Sequence, residues 1–261
     1  MEPVYRPVIG GTVAWFKLMG WDIDVRGGHN IPAQGPAVVA TNHVGYLDFM
    51  FVGYGAREQH RLVRFMAKKE IFDHPVAGPL MRGMKHISVD RFGRADAAVR
   101  AASNALRRDE VIGMFPESTI SRSFVPAAGK TGAARMAMSA SAPLIPGAVW
   151  GSQRILTKGR PRNFQRNVAI TVEFGEPIAY EPDDDVGEVT KRLMARIGEM
   201  VEGAAAAYPQ QPAGADDRWW LPAHLGGTAP SVAEAEEMAV AERIERRARR
   251  QAERAEERED G

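Results

Sequence analysis

The sequence predicts an α/β fold with a mostly parallel central sheet flanked by helices. Short apolar runs, which are typical of strands buried on both faces of a sheet, alternate along the chain with stretches of helical length. With 261 residues, 44% of them apolar, the chain is long and apolar enough to build a sizeable core. An amphipathic segment is predicted before this domain and a charged helix after it.

Residues 1–20 are predicted to form the amphipathic segment. Apolar side chains recur there with helical spacing, and few residues are charged. Pro7 and the pair Gly10-Gly11 argue against one straight helix. The segment could lie in a membrane interface or cap the protein core, and the pattern leaves both readings open.

Residues 21–206 are predicted to form the main domain. From residue 21 the apolar period changes to two, which indicates a strand, and buried strands and helices then alternate. The predicted strands are 21–25, 37–40, 64–67, 86–89, 111–115, 144–149 and 168–174. The predicted helices are 47–54, 95–106, 132–140 and 186–206.

Residues 207–261 are predicted to form a loop rich in Pro and Gly, followed by a charged helical tail. The run Trp219-Trp220-Leu221 is too apolar for a plain linker, so we expect it to be buried. The tail is dense in Ala, Glu and Arg, with opposite charges four residues apart. Such a helix is either solvated on all sides or packed on a coiled-coil partner.

The composition argues against several classes of protein. The chain has no cysteine, so it can form neither disulfides nor a thiolate nucleophile, and a cytosolic setting is expected. Its 34 basic and 33 acidic side chains nearly cancel, which does not favour a nucleic-acid partner. Neither a secretory signal nor an apolar run of about 18 residues is present, so no spanning helix is expected.

The first group of residues with chemical potential follows the buried run 37–40. It reads Asn42-His43 and then, five positions after the histidine, Asp48. If the chain turns between them, the Asp48 carboxylate can accept a hydrogen bond from one imidazole nitrogen. The other nitrogen could then take a proton from a hydroxyl. Alternatively, His43 only satisfies backbone groups of a loop.

The second group is residues 115–123, F-P-E-S-T-I-S-R-S, which directly follows another apolar run. A carboxylate, four hydroxyls and a guanidinium clustered after a strand could bind a polar head group that carries phosphate. Alternatively, the hydroxyls only cap a helix and Glu117 pairs with a core cation.

Two further blocks complete a series of four: G-M-K-H-I-S-V-D-R at 83–91 and A-P-L-I-P-G at 142–147. In order and spacing the four blocks resemble those of the glycerolipid acyltransferase family, which includes lysophosphatidic acid and glycerol-3-phosphate acyltransferases. The resemblance covers roughly residues 25–180. Its most specific parts are the N-H-x-x-x-x-D and F-P-E motifs.

The resemblance implies a glycerol-3-phosphate acyltransferase-like fold and a role for each block. His43 would be the general base and Asp48 its orienting partner, and the strand at 143–146 would lie near the acyl donor. The residues implied or predicted to bind substrate are Asn42, Arg91, Glu117, Ser118, Thr119, Arg122 and Lys130.

The resemblance also implies the reaction. It is that of an O-acyltransferase, which moves a fatty acyl group from acyl-CoA or acyl-carrier protein to the free hydroxyl of lysophosphatidate and makes phosphatidate in phospholipid biosynthesis. No bound cofactor or metal is expected. Two alternatives stay open: acylation of another lipid or glycolipid hydroxyl, and a non-catalytic lipid-binding protein. The His43–Asp48 pair argues against the second, because binding alone needs neither residue.

The third block departs from the family's usual F-P-E-G-T-R-S. Ser118 stands at the glycine position and Ile120 at the arginine position. Either Arg122 or Lys130 supplies the missing cation, or the acceptor differs from lysophosphatidate.

Both implied substrates partition into a bilayer, so the protein is expected at the cytoplasmic face of the cell membrane as a peripheral protein. The N-terminal segment with Trp15-Phe16 is a candidate for docking there. A basic stretch could assist by facing anionic lipid, or could be an ordinary solvated face. It comprises Arg57, Arg61, Arg64, Lys68 and Lys69.

Overall fold

A seven-stranded, mostly parallel sheet forms the centre of the protein, as predicted. The computed structural model describes residues 3–90 and 95–259. Within them the strands are β1 (Asp22–Arg26), β2 (Ala37–Thr41), β3 (Val63–Lys68), β4 (Ile87–Val89), β5 (Val111–Met114), β6 (Leu144–Trp150) and β7 (Ala169–Phe174). Their order across the sheet is β1-β7-β6-β2-β5-β3-β4. Of the pairs, only β6 with β7 is antiparallel among the described strands.

The helices of the described residues flank this sheet. They are α1 (Tyr5–Met19), α2 (Asp48–Gly55), α3 (Lys69–Asp73), α4 (Ala77–Gly83), α5 (Ala95–Leu106), α6 (Gly132–Ser139), α7 (Val186–Ala206) and α8 (Val232–Glu259). Val39 of β2 and Ile145 of β6 share one apolar cluster with Phe16 of α1 and Phe51 of α2. Because side chains alternate along a strand, the intervening residues face the other side, where α6 contacts β2 and α7 contacts β6.

The N-terminal segment forms one continuous helix, although Pro7 and the pair Gly10-Gly11 were expected to weaken it. Pro7 is the third residue of α1, where the backbone N–H of an ordinary residue would have no partner within the helix. Gly10 and Gly11 lie on its exposed side. Helices α3 and α4 were not predicted, because five and seven residues are too few to display a helical period.

The chain divides into two compact units. The first comprises residues 1–120 and 126–211, and the second comprises residues 121–125 and 212–261. In the second unit lies the predicted charged helix, α8, and Trp220 is buried as expected. The domain boundaries drawn from the sequence stay a prediction. No helix within 3–90 and 95–259 is long and apolar enough to cross a membrane.

Candidate active site

The catalytic candidates lie where two neighbouring parallel strands end. β2 ends at Thr41 and is followed by His43, whereas β5 ends at Met114 and is followed by the third block. Because β2 and β5 pair in parallel, their carboxyl ends lie at the same edge of the sheet. This is the edge at which open α/β sheets usually bind ligands.

Asn42 attaches the start of this loop to the sheet. Its side-chain amide donates to the Val149 carbonyl at 3.0 Å, and its amide oxygen accepts from the Val149 N–H at 2.8 Å. The side chain therefore continues the pairing of β2 with β6 beyond the end of β2. Asn42 is fully buried and both of its side-chain polar groups pair with Val149, and its predicted role in substrate binding stays a prediction.

His43 and Asp48 form the hydrogen bond that the sequence spacing permits. His43 Nδ1 lies 2.9 Å from Asp48 Oδ2. The same carboxylate oxygen accepts the backbone amides of Val44 at 2.8 Å and Gly45 at 2.9 Å. Since a carboxylate can only accept, Nδ1 carries the proton, and Nε2 is the ring atom able to take up another. The catalytic roles of the two residues stay predictions.

Two residues of the third block, Phe115 and Glu117, also contact His43. The His43 ring stacks on Phe115, with ring centres 4.0 Å apart. Glu117 accepts the His43 backbone amide through Oε1 at 2.9 Å and the Ala127 amide through Oε2 at 3.0 Å. Both carboxylate oxygens thus bind backbone amides, rather than the core cation that the sequence left open.

Burial of Glu117 has an electrostatic cost. Loss of contact with water raises the pKa of its carboxyl to about 7, although the amides of Ala127 and His43 favour the ionised form. The neighbouring charge of Asp48 makes a smaller contribution to this rise in pKa. Glu117 therefore titrates near neutral pH while holding the backbone of the candidate base.

The backbone conformation at the glycine position of the third block accounts for the glycine that is usual there. Ser118 has φ 59°, in the left-handed region. A residue with a Cβ pays roughly 1–2 kcal/mol for that conformation, which glycine adopts freely. Ile120, at the arginine position, is buried, and its hydrocarbon side chain carries no charge that could bind a ligand.

The other cations predicted to bind substrate differ in their surroundings. Arg122 lies in the second unit and forms an ion pair with Glu242 of α8. Lys130 is exposed, and its backbone amide donates to the Pro116 carbonyl at 3.0 Å, which places it beside the third block. Arg91 lies outside the described residues.

Comparison with known proteins agrees with these motifs. Residues 22–150 match the Acyltransferase family model. The chain is 28% identical over 193 residues to 1-acyl-sn-glycerol-3-phosphate acyltransferase of Bacillus subtilis, which covers 68% of this chain and 90% of that protein. It is 31% identical over 179 residues to the enzyme of the same name from Limnanthes douglasii, covering 67% of this chain and 60% of the plant protein.

The chain belongs to the glycerolipid acyltransferase family. It is thus an O-acyltransferase. The crystal structure of the 1-acyl-sn-glycerophosphate acyltransferase PlsC from Thermotoga maritima has the same fold, with a TM-score of 0.64 and 22% sequence identity. That likeness covers 78% of this chain and 81% of the other.

Sequence reasoning missed a segment that lies after the part matched by the acyltransferase family model. Ser152 is fully buried, and its hydroxyl binds Asp48 Oδ1, the carboxylate oxygen not bound to His43. Thr157 donates to the Val44 carbonyl at 2.6 Å. Lys158 donates to Thr119 Oγ1 of the third block at 3.4 Å. None of these residues falls in the four blocks, so no sequence signal pointed to them.

An apolar groove lies between α1, α2 and α4 and has a volume of about 230 Å³. It is lined by Tyr5, Val8, Ile9, Thr12, Val13, Phe49, Met50, Gly53, Tyr54, Arg57, Ala77, Leu80, Met81, Met84 and His86. α2 links this apolar groove to the candidate dyad, because the helix begins at Asp48 and its next residues, Phe49 and Met50, already line the wall.

Three of the side chains that the sequence offered as membrane contacts interact with other residues of the protein. Phe16 is buried and stacks on Phe51. Arg61 donates to two backbone carbonyls of the loop after β1, each at 2.7 Å. Arg64 is buried and pairs with Glu110 at 3.2 Å. These three side chains therefore have partners within the protein, whereas Lys68 and Lys69 are exposed, and contact of this part of the chain with lipid stays a prediction.

Proposed function

We propose that this acyltransferase moves a fatty acyl group from a thioester donor, acyl-CoA or acyl-carrier protein, to the free hydroxyl of lysophosphatidate. The product is phosphatidate, an intermediate of phospholipid biosynthesis. The observation that carries the proposal is the His43–Asp48 pair, held at the edge of the sheet beside the third block. The names of the Bacillus and Limnanthes relatives support lysophosphatidate as the acceptor.

In the proposed reaction His43 Nε2 takes the proton of the acceptor hydroxyl as that oxygen attacks the thioester carbonyl. Asp48 stabilises the imidazolium that forms. The tetrahedral intermediate then expels the thiolate of the donor, which takes the proton from His43 and leaves as a thiol. The acyl group passes directly from donor to acceptor, without an intermediate on the protein.

The apolar groove supports an acyl chain as part of the substrate. Its lining is almost entirely hydrocarbon, and burying such a chain is favourable in proportion to the apolar area removed from water. The groove shares α2 with the dyad, so a chain lying in it would start close to the reacting carbonyl.

A peripheral position at the cytoplasmic face of the membrane is part of the proposal. Exposed apolar side chains occur at Ile71 in α3, at Val76 just before α4 and at Leu80 in α4, and Leu80 also lines the groove. Exposed Lys68 and Lys69 lie at the start of α3 and would be attracted to anionic lipid.

Acylation of a different lipid or glycolipid hydroxyl is the second candidate. The buried Ile120 favours it, because the arginine usual at this position of the family is absent. An acceptor without phosphate would need no cation there.

An acceptor panel tests the proposal. The native protein is incubated in vesicles with oleoyl-CoA or oleoyl acyl-carrier protein and with lysophosphatidate, monoacylglycerol or a glycolipid, and products are separated by chromatography. The exposed His29 is replaced by alanine as a control that should keep full activity, and His43→Ala gives the background rate. Phosphatidate formed faster than any other product is the expected result. Turnover of the other acceptors alone would favour the second candidate.

A further inference from the structure

The third block has no arginine at the position where related acyltransferases carry one. Ile120 stands there and is buried, and Arg122, two residues further on, is paired with Glu242. A phosphomonoester carries between one and two negative charges at neutral pH, and holding it out of water requires a compensating cation. If the acceptor is lysophosphatidate, a cation other than residue 120 has to supply that charge, alone or together with the Arg91 that the resemblance implies for substrate binding.

The segment 152–158 is fixed to the loop that bears the dyad. Ser152 binds the Asp48 carboxylate at one end of the segment, and Thr157 binds the Val44 carbonyl at the other. A backbone hydrogen bond of 2.9 Å between Tyr46 and Leu156 adds a third connection. The bonds of Ser152 and Thr157 are buried, and together the three connections give the end of the segment a defined position relative to His43.

Lys158 comes directly after the last of these anchors. It is half-buried, and its ammonium donates to the hydroxyl of the exposed Thr119. Thr119 lies in the third block, two residues after Glu117, which holds the His43 backbone. Lys158 therefore places a positive charge between the dyad loop and the block that carries the acceptor site in this family.

We propose that Lys158 is the residue that binds the phosphate of the acceptor, replacing the arginine absent from position 120. This inference rests on the proposed function, since it assigns the phosphate subsite of the same acceptor. A lysine ammonium is a compact point charge suited to phosphate, and Thr119 adds a hydroxyl donor beside it. The specificity for a charged acceptor then resides outside the four blocks.

Direct binding separates this inference from the reaction. A water-soluble, short-chain lysophosphatidate and the corresponding monoacylglycerol are titrated calorimetrically into the native protein and three variants. Lys158→Gln removes the proposed contact. Lys130→Gln tests the competing cation suggested by the sequence. Lys191→Gln removes the same charge from an exposed position on α7 and serves as the matched control.

Lys158→Gln is expected to weaken lysophosphatidate binding roughly 10 to 100 fold, the usual worth of a hydrogen bond to a charged group, and to leave monoacylglycerol binding unchanged. Lys191→Gln should alter neither. The inference is overturned if Lys158→Gln loses no affinity for lysophosphatidate, or loses as much affinity for monoacylglycerol. It is also overturned if Lys130→Gln loses the affinity instead, or if the native protein does not prefer the ligand that carries phosphate.

Turnover of lysophosphatidate is measured on the same samples. If the lipid binds through Lys158 and is not acylated, the phosphate subsite stands and the proposed function fails. If it is acylated equally fast by native protein and Lys158→Gln at low substrate concentration, the proposed function stands and the subsite assignment fails.

Discussion

At the scale of single residues, Asp48 organises the candidate site. Its carboxylate accepts four hydrogen bonds, from the His43 ring, two backbone amides and the hydroxyl of Ser152. Three of these donors converge on Oδ2 and the hydroxyl of Ser152 binds Oδ1, so contacts at both oxygens fix the orientation of the carboxylate. The pair of His43 and Asp48 thus has, without substrate, the arrangement that the proposed proton transfer requires.

Replacement of Ser152 tests this arrangement. Ser152→Ala is expected to lower kcat roughly 10-fold with little change in KM, because Asp48 loses one of the contacts that fix its orientation. Steady-state kinetics and a thermal unfolding curve are measured together. Ser139→Ala, on the exposed side of α6, is the matched control. A kcat equal to that of the native protein would show that Ser152 does not position Asp48.

The sequence predicts some of these residues and not others for a physical reason. His43 and Asp48 are five positions apart, so local backbone geometry brings them together and a short motif can indicate the pair. Glu117 and Ser152 reach the same loop across 74 and 104 positions. Such contacts depend on how the sheet is assembled, which a single sequence does not encode in any local pattern.

At the scale of elements, His86 links β3 and β4, the two strands at one edge of the sheet. It directly precedes β4, and its Nδ1 accepts the backbone amide of Phe65 in β3 at 3.0 Å. Burial, assisted by the positive charge of Arg64, lowers the pKa of its ring to about 4. His86 is therefore neutral in the folded protein over the physiological range.

This burial predicts a dependence of stability on pH. Between pH 6.5 and 4 the unfolded chain takes up a proton at His86 that the folded protein excludes, so the free energy of unfolding falls as pH falls. From pH 7 to 5 the loss from this group is roughly 2 kcal/mol. His86→Asn keeps an acceptor for Phe65 and cannot titrate. Urea unfolding is measured at pH 7 and pH 5. The difference in the free energy of unfolding between native protein and variant should be smaller at pH 5 by that amount.

The contribution of Glu117 has the opposite sign, because its raised pKa makes stability fall as pH rises toward 7. It is present in both proteins and cancels in the comparison. If the difference in the free energy of unfolding between native protein and His86→Asn is the same at both pH values, the account of His86 is contradicted.

Elements were predictable where they are long or regular. The helix predicted at 186–206 has those bounds, since it spans several periods and begins after Asp185, whose carboxylate accepts the Glu188 amide. The strands around the sheet were found because buried parallel strands read as uninterrupted apolar runs. Helices α3 and α4 escaped prediction because neither completes two full turns.

At the scale of the whole molecule, the fold class follows from the alternation of strands and helices, whereas the order of the strands does not. β7 lies between β1 and β6, parallel to β1 and antiparallel to β6, and no local pattern predicts this change of direction. The apolar groove likewise exists only because α1, α2 and α4 pack around it. These properties belong to tertiary packing.

The groove predicts how acyl-chain preference is set. Val13 lines it, and the neighbouring Ala14 is exposed on the same helix. Val13→Trp is expected to fill part of the groove and shift the preference toward shorter chains, whereas Ala14→Trp should not. Competition between donors of different chain length measures the ratio of kcat/KM values. The same preference in both variants and the native protein would place the acyl chain elsewhere.

The central claim is that His43 acts as the general base of acyl transfer. The most direct measurement is kcat/KM for transfer from oleoyl-CoA to the acceptor that the native protein prefers, compared between the native protein and His43→Ala. Loss of a positioned base is expected to lower this value roughly 100 to 10,000 fold. His43→Ala that retained kcat/KM within a few fold of the native value would contradict the account.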